Sequence, residues 1–185
     1  MSHDGGGREN RPAASRELLG WAEDGPTLDL DHREFSYAGK FVLSMSGKAV
    51  TRDDGGIVAA IAFGPDRTDP DRLWLRYVTV RRDRRGEGIG PDLVRFVVDR
   101  ATDRGYDRVR IAVNNPYAFE ALYRAGFGFT GETTGIAELI LDRPRPGPEP
   151  DRYRAGFAAF VDRDLSDGER SFVARRRDGT PPTVE

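Results

Sequence analysis

Residues 48–52 and 57–63 are two apolar, β-branched runs separated by Asp53-Asp54-Gly55-Gly56. Asp-Gly steps accept the positive φ that tight hairpin turns require, so the pattern predicts two antiparallel strands. Residues 73–81 are rich in β-branched and aromatic side chains and read as a third strand. Downstream the period lengthens. Ile89, Leu93, Phe96/Val97 and Ala101 recur at helical spacing, and Arg104-Gly105 closes that helix. Residues 108–113 return to a strand, 116–125 form a short helix stopped by Gly126, and 127–130 with 136–141 complete the sheet. A strand meander followed by strand–helix–strand–helix–strands predicts an α/β (α+β) domain, a central mixed β-sheet flanked by helices.

The flanks are less regular. Residues 15–22 read as a short helix. Asp31 and Glu34 have capping-box spacing, with Phe35, Ala38, Val42 and Met45 at helical intervals behind them, although 41–43 also suits a strand. Past the proline-rich stretch 144–150, Tyr153, Phe157, Phe160 and Val161 form one amphipathic stripe, and Ser166 with Glu169 caps a helix carrying Phe172 and Val173. The expected division is a disordered leader (1–13), a domain (14–143), a stiff linker (144–150), a helical extension (151–177) and a disordered tail (178–185). The aromatic stripe of the extension predicts cover for the domain's own sheet or for a second copy's, and a homodimer through these helices is the expectation drawn from it.

Composition narrows the chemistry. The 185 residues include no cysteine, which removes disulfides, thiolate metal sites and a thiol-borne acyl intermediate, and fits a cytoplasmic location. Only His3 and His32 are histidines, and no zinc or calcium spacing occurs, so no metal is expected. A net charge of −2 gives no basic footprint for nucleic acid, and no apolar run approaches the ~20 residues of a membrane span. Lysine occurs only at Lys40 and Lys48, arginine supplying the other cations.

The segment with chemical content follows the third strand: Arg81-Arg82-Asp83-Arg84-Arg85, then Gly86-Glu87-Gly88-Ile89-Gly90 and a helix. Glycines let backbone turn tightly and approach a ligand with no Cβ in the way. A helix start leaves N–H groups unpaired and carries positive dipole charge, so the loop is suited to cradling phosphate oxygens. Pro91 fits the first helical turn, where its missing N–H has no partner to lose. A glycine turn that merely caps a helix has the same pattern. The nucleotide loops are excluded, since Gly-Lys-Ser/Thr is absent and the glycines do not follow the strand directly.

Arg85-x-x-Gly88-x-Gly90, after a strand ending Tyr77-Val78-Thr79-Val80, resembles the acetyl-CoA signature of the GCN5-related N-acetyltransferase (GNAT) family. A second block, Asn115-Pro116-x-Ala118 followed by Gly126-Phe127, resembles the family's Asn-x-x-Ala…Gly-Phe helix. The resemblance covers about residues 48–141 and implies the acyl-CoA N-acyltransferase fold. It implies backbone contacts from Val78, Thr79 and Val80 to the pantetheine arm, with the Val78 N–H polarising the acetyl carbonyl. Arg85, Gly86, Glu87, Gly88, Ile89 and Gly90 are implied to hold the pyrophosphate, and Asn115 to contact pantetheine or support its wall.

Direct transfer to an amine needs a proton acceptor and often a tyrosine beside the leaving sulfur. The family's tyrosine position is Leu122 here, with Tyr123 next to it as candidate acid or as a core aromatic beside Phe119, and Tyr117 a weaker alternative. The position where some members carry a catalytic glutamate is Trp74, which cannot take a proton. Glu34, Asp53 and Asp54 are candidate bases by charge alone, and each also reads as a cap or turn residue. Arg76 is expected to share a strand face with Trp74 and Val78, where it would bind an anionic group or pair with an acid. The reading is an N-acetyltransferase using acetyl-CoA as co-substrate and a small-molecule or protein amine as acceptor; the alternative is a non-catalytic acyl-CoA sensor of the same fold.

Overall fold

The computed structural model describes residues 14–147 and 150–185. The leader expected over 1–13 and positions 148–149 of the linker lie outside the described residues. Seven strands form one sheet in the order β1-β2-β3-β4-β5-β7-β6: β1 (Ser15–Gly20), β2 (Gly47–Asp53), β3 (Gly56–Pro65), β4 (Arg72–Val80), β5 (Arg108–Val113), β6 (Gly128–Thr133) and β7 (Leu139–Arg143). Every neighbouring pair is antiparallel except β4 and β5, which are parallel and joined through a helix. The helices are α1 (Ala38–Phe41), α2 (Ile89–Asp103), α3 (Pro116–Arg124), α4 (Pro150–Phe160) and α5 (Asp167–Arg176).

The β2–β3 turn has positive φ at Asp54 and Gly55, 51° and 79°, the signature of the mirror-image turn whose twist matches its strands. Leu93, Val94, Val97 and Ala101 of α2 are buried with Ala59, Ile61, Leu73 and Leu75 of the sheet in one core, to which α3, α4 and α5 also contribute. A second cluster, built from Leu30, Phe35 and Phe41 over Val50, Ala60 and Ala62, joins the 28–41 segment to the strands.

Two expectations are corrected, and a third is resolved between its alternatives. Residues 15–20 form a strand rather than a helix, since Ser15–Gly20 pairs with Lys48–Arg52 and tertiary pairing overrides a weak local preference. The helix expected behind Asp31 shrinks to the four residues of α1, and Val42 and Met45 are exposed. The aromatic stripe of the extension faces its own domain. Tyr153, Phe157 and Phe160 are buried around Phe119 of α3, the first of the two roles expected for that stripe, while Val161 stays exposed. The segment 178–185 has no helix or strand, as an expected tail would, yet Glu185 donates its N–H to the Arg124 carbonyl at 2.9 Å.

Lys48, one of the two lysines, is fully buried. Its ammonium donates to the carbonyls of Pro26 and Leu43, each at 2.6 Å, and to Ser46, which fastens the 26–46 connection onto β2. Loss of water pushes its pKa down.

Asp66, just past the end of β3, and Arg72, the first residue of β4, are buried and 2.8 Å apart. Burial pushes the Asp66 carboxyl up, but the Thr68 amide and hydroxyl and the Arg72 guanidinium outweigh it, and the pKa settles at about 2. Its unfolded value is ~3.9, so this carboxylate adds stability that is complete above about pH 5 and is lost as pH falls toward 2. Asp66→Asn is expected to destabilise by about 2–3 kcal/mol at pH 7 and much less at pH 2, read from urea midpoints at the two pH values.

Candidate active site

β4 and β5 pair only from Arg72–Leu75 to Arg108–Ile111. Beyond that register they separate, and a cleft of about 340 Å³ opens between them, walled by Val78, by Gly90 and Val94 of α2, and by Ala118 and Leu122 of α3. The separation begins at a bulge in β4. Ala62 pairs with Tyr77 and Phe63 with Leu75, leaving Arg76 without a partner. A bulge reverses the alternation of faces. Leu73 and Leu75 therefore share a core with Val78 and Val80, and the expectation that Trp74 and Val78 lie on one face fails.

Backbone direction follows from one bond. Arg81 N–H donates to the Val58 carbonyl at 2.8 Å, so its peptide faces β3. Along the paired run above the bulge, Val80 and Val78 turn their N–H and C=O groups the other way, to the divergent edge. Thr79 faces β3, and its side chain is buried away from Val78 and Val80.

At the end of β4, Gly86 and Gly88 adopt φ of 82° and 78°, and Gly88 is the N-cap of α2. Asp92 N–H pairs with the Gly88 carbonyl and Pro91 has no N–H, so the amides of Ile89 and Gly90 are the first-turn donors without a helical acceptor. A Cβ on Gly90 would lie 3.2 Å from Val80 Cγ2, whereas one on Gly88 would point into open space. The arginine run divides its labour. Arg81 pairs with Asp83, and Arg84 pairs with Asp53 at 2.8 Å and Glu87 at 2.9 Å. Arg85 has no ion pair among the described residues; it donates to Ser36 Oγ at 3.0 Å and toward the Val80 carbonyl at 3.4 Å. Asn115 caps α3 by accepting Ala118 N–H at 2.8 Å and also lines the cleft. These donors, a glycine cradle and a guanidinium without a carboxylate partner among the described residues suit a pyrophosphate, with the splayed strand edge beside them.

A model of the Acetyltransferase (GNAT) family matches residues 15–129. The chain belongs to this family. Rat (Rattus norvegicus) N-acetyltransferase family 8 member 2 is 37% identical over 106 residues, 56% of this chain and 45% of the rat protein, so the match spans less than half of that relative. Among solved structures, a Bacillus subtilis acetyltransferase in complex with CoA superposes with a TM-score of 0.56 at 16% identity, over 70% of this chain and 97% of that one. Nourseothricin acetyltransferase gives 0.52 at 20% identity, over 73% and 100%. At these identities the likeness is one of fold, the mixed sheet flanked by helices.

Against the GNAT expectation of a tyrosine acid, Tyr123 is turned away. Its ring centroid is 4.9 Å from those of Phe119 and Tyr153, its hydroxyl accepts Phe129 N–H at 2.8 Å, and it does not line the cleft. Leu122 does, because one residue turns a helix by ~100°. The core-aromatic alternative holds for Tyr123. Tyr117 is half exposed and packs against Phe172 with the rings tilted by 52°. None of the three carboxylates named from sequence lines the cleft: Asp53 holds Arg84, Asp54 makes the hairpin turn, and Glu34 is exposed beside Arg82. Glu87 is drawn to Arg84.

The structure adds Tyr37, Tyr77 and Glu138, which line the cleft together with Arg76. Tyr77 adjoins the named Val78, and its position was readable once the strand end was placed. Tyr37 and Glu138 fall inside segments expected as a helix and as the strand 136–141, but α1 begins at Ala38 and β7 at Leu139, so both residues lie in turns. Among the described residues no cluster of His, Cys, Asp and Glu is arranged for a metal, and no helix is long and apolar enough to cross a membrane.

Proposed function

We propose that this chain is an acetyl-CoA-dependent N-acetyltransferase that acetylates a primary amine of a small molecule or protein. The carrying observation is the parting of β4 from β5 at Leu75–Ile111, directly beside the glycine loop that opens α2. In this reading the Ile89 and Gly90 amides and Arg85 hold the pyrophosphate, as α2 presents its positive end there. The outward backbone groups of Val78 and Val80 bind the pantetheine arm as an added strand, and the Val78 N–H holds the acetyl oxygen. Asn115 supports the facing wall. The co-substrate supplies a reactive thioester, and the protein's part is to align an amine with it and exclude competing water.

A second reading, an acyl-CoA-binding protein without turnover, draws on Leu122, an apolar side chain at the place of the family's acid, and on the inward turn of Tyr123. One assay separates the two. Acetyl-CoA is expected to bind saturably, and incubation with a panel of amines is expected to release free thiol for at least one. Binding without release across the panel supports the second reading, and no binding defeats both.

A further inference from the structure

Arginines near the cleft are mostly matched to acids. Arg72 lies 2.8 Å from Asp66, Arg84 2.8 Å from Asp53, and Arg110 2.7 Å from Asp142. Arg76 differs. It sits on the β4 bulge with its guanidinium 4.5 Å over the Trp74 ring, and its side chain has no ion pair or hydrogen bond among the described residues. Stacking of this kind leaves the N–H edges of the fork free for a planar acid group.

Glu138 lines the same cleft from the β6–β7 turn. Its carboxylate accepts from the Thr134 hydroxyl at 3.3 Å and its own N–H donates back to that hydroxyl at 3.1 Å, which fixes the residue, and no cation pairs with it among the described residues. Two opposite charges thus line one cleft without pairing with each other. A cleft with an unmatched cation and an unmatched anion is complementary to a ligand that carries both signs. Tyr37 and Tyr77, ring centroids 5.6 Å apart, give that ligand an aromatic wall.

Resting on the acetyl-transfer reading above, we propose that the acceptor is a free amino acid, its carboxylate taken by Arg76 and its ammonium by Glu138. The amine nitrogen bonds to the acetyl carbon as the thioester C–S bond breaks. The ammonium gives up two protons: one passes through Glu138 to water before attack, and the second leaves the nitrogen as the tetrahedral intermediate collapses and reaches the departing thiolate through water. The products are an N-acetyl amino acid and the free CoA thiol.

The test uses the full chain with free amino acids, each beside its amide and its decarboxylated amine. Thiol release gives kcat/KM, and calorimetry on protein saturated with CoA gives affinity without turnover. At least one amino acid is expected to exceed both analogues by about tenfold or more, as a charge-assisted pair contributes. Arg76→Gln is expected to erase that preference while the acetyl-CoA midpoint stays put, and Glu138→Gln to weaken the amino acid and the amine together. Equal use of amino acid and amide, a preference that survives Arg76→Gln, or acetyl-CoA binding with no amino acid bound or acetylated, each overturns the acceptor assignment alone. Failure to bind acetyl-CoA removes the acetyl-transfer reading itself.

Discussion

Gly88→Trp is expected to weaken acetyl-CoA binding by at least ~100-fold in calorimetry, since two charge-assisted contacts at about 1.5–3 kcal/mol each are at stake. A Cβ at this position meets no atom of the described residues within 4 Å, so a side chain there would leave the backbone toward open space. Gly88 is the N-cap residue directly before the Ile89 and Gly90 amides, where the pyrophosphate is proposed to sit, so an indole there is expected to compete with it. The φ of 78° at Gly88 adds a backbone cost of about 1–2 kcal/mol for any side chain. For a chain of this length that lowers Tm by only about 2–8 °C. A loss of binding with a folded protein therefore reports the ligand and not the fold. Unchanged affinity in a folded Gly88→Trp protein would return the loop to a helix cap with no ligand.

The loop was legible because its signal is local: two glycines at positive φ and a helix of unbroken period from Ile89. The hairpin, β4, α2, β5 and α3 were readable for the same reason, each set by neighbours in sequence. β1 was not. Its partner Lys48–Arg52 lies some thirty residues on, and the adjacent Leu18 and Leu19 suit either period. Nor was the bulge at Arg76, which depends on a two-against-one register with Ala62 and Phe63, and it moved Trp74 and Val78 to opposite faces. Tyr123 shows the finest grain: one position along α3 separates a side chain in the cleft from one in the core, and spacing alone left both open. Acceptor-side residues were hidden because Tyr37 and Glu138 were expected inside a helix and a strand, whereas both lie in turns just ahead of α1 and β7.

The extension after Arg143 was set apart in the sequence because prolines interrupt the pattern there, yet the packing makes it part of the same core. Phe119 of α3 is fully buried, with ring centroids 4.9 Å from Phe157 and 6.0 Å from Phe160 of α4. Gly156 of α4 is the notch that admits it, since a Cβ there would come within 2.1 Å of Phe119 Cζ. Tyr153 hydroxyl donates to Glu120 at 2.5 Å and Arg176 of α5 reaches the same carboxylate at 3.4 Å, so the fit is held at its edge by a buried polar cluster. Phe119→Ala is expected to cost about 3–5 kcal/mol by urea unfolding, the range for emptying a buried aromatic site. Gly156→Ala is expected to cost about 1–3 kcal/mol by overpacking, despite alanine's better helix propensity. Combined, the two are expected to fall short of their sum by about 1–3 kcal/mol, because the new methyl enters the space the ring vacates. Additive effects would mean that α4 does not seat on Phe119. Since α3, capped by Asn115, also presents Leu122 to the cleft, Phe119→Ala is further expected to weaken acetyl-CoA binding at temperatures where the protein is still folded.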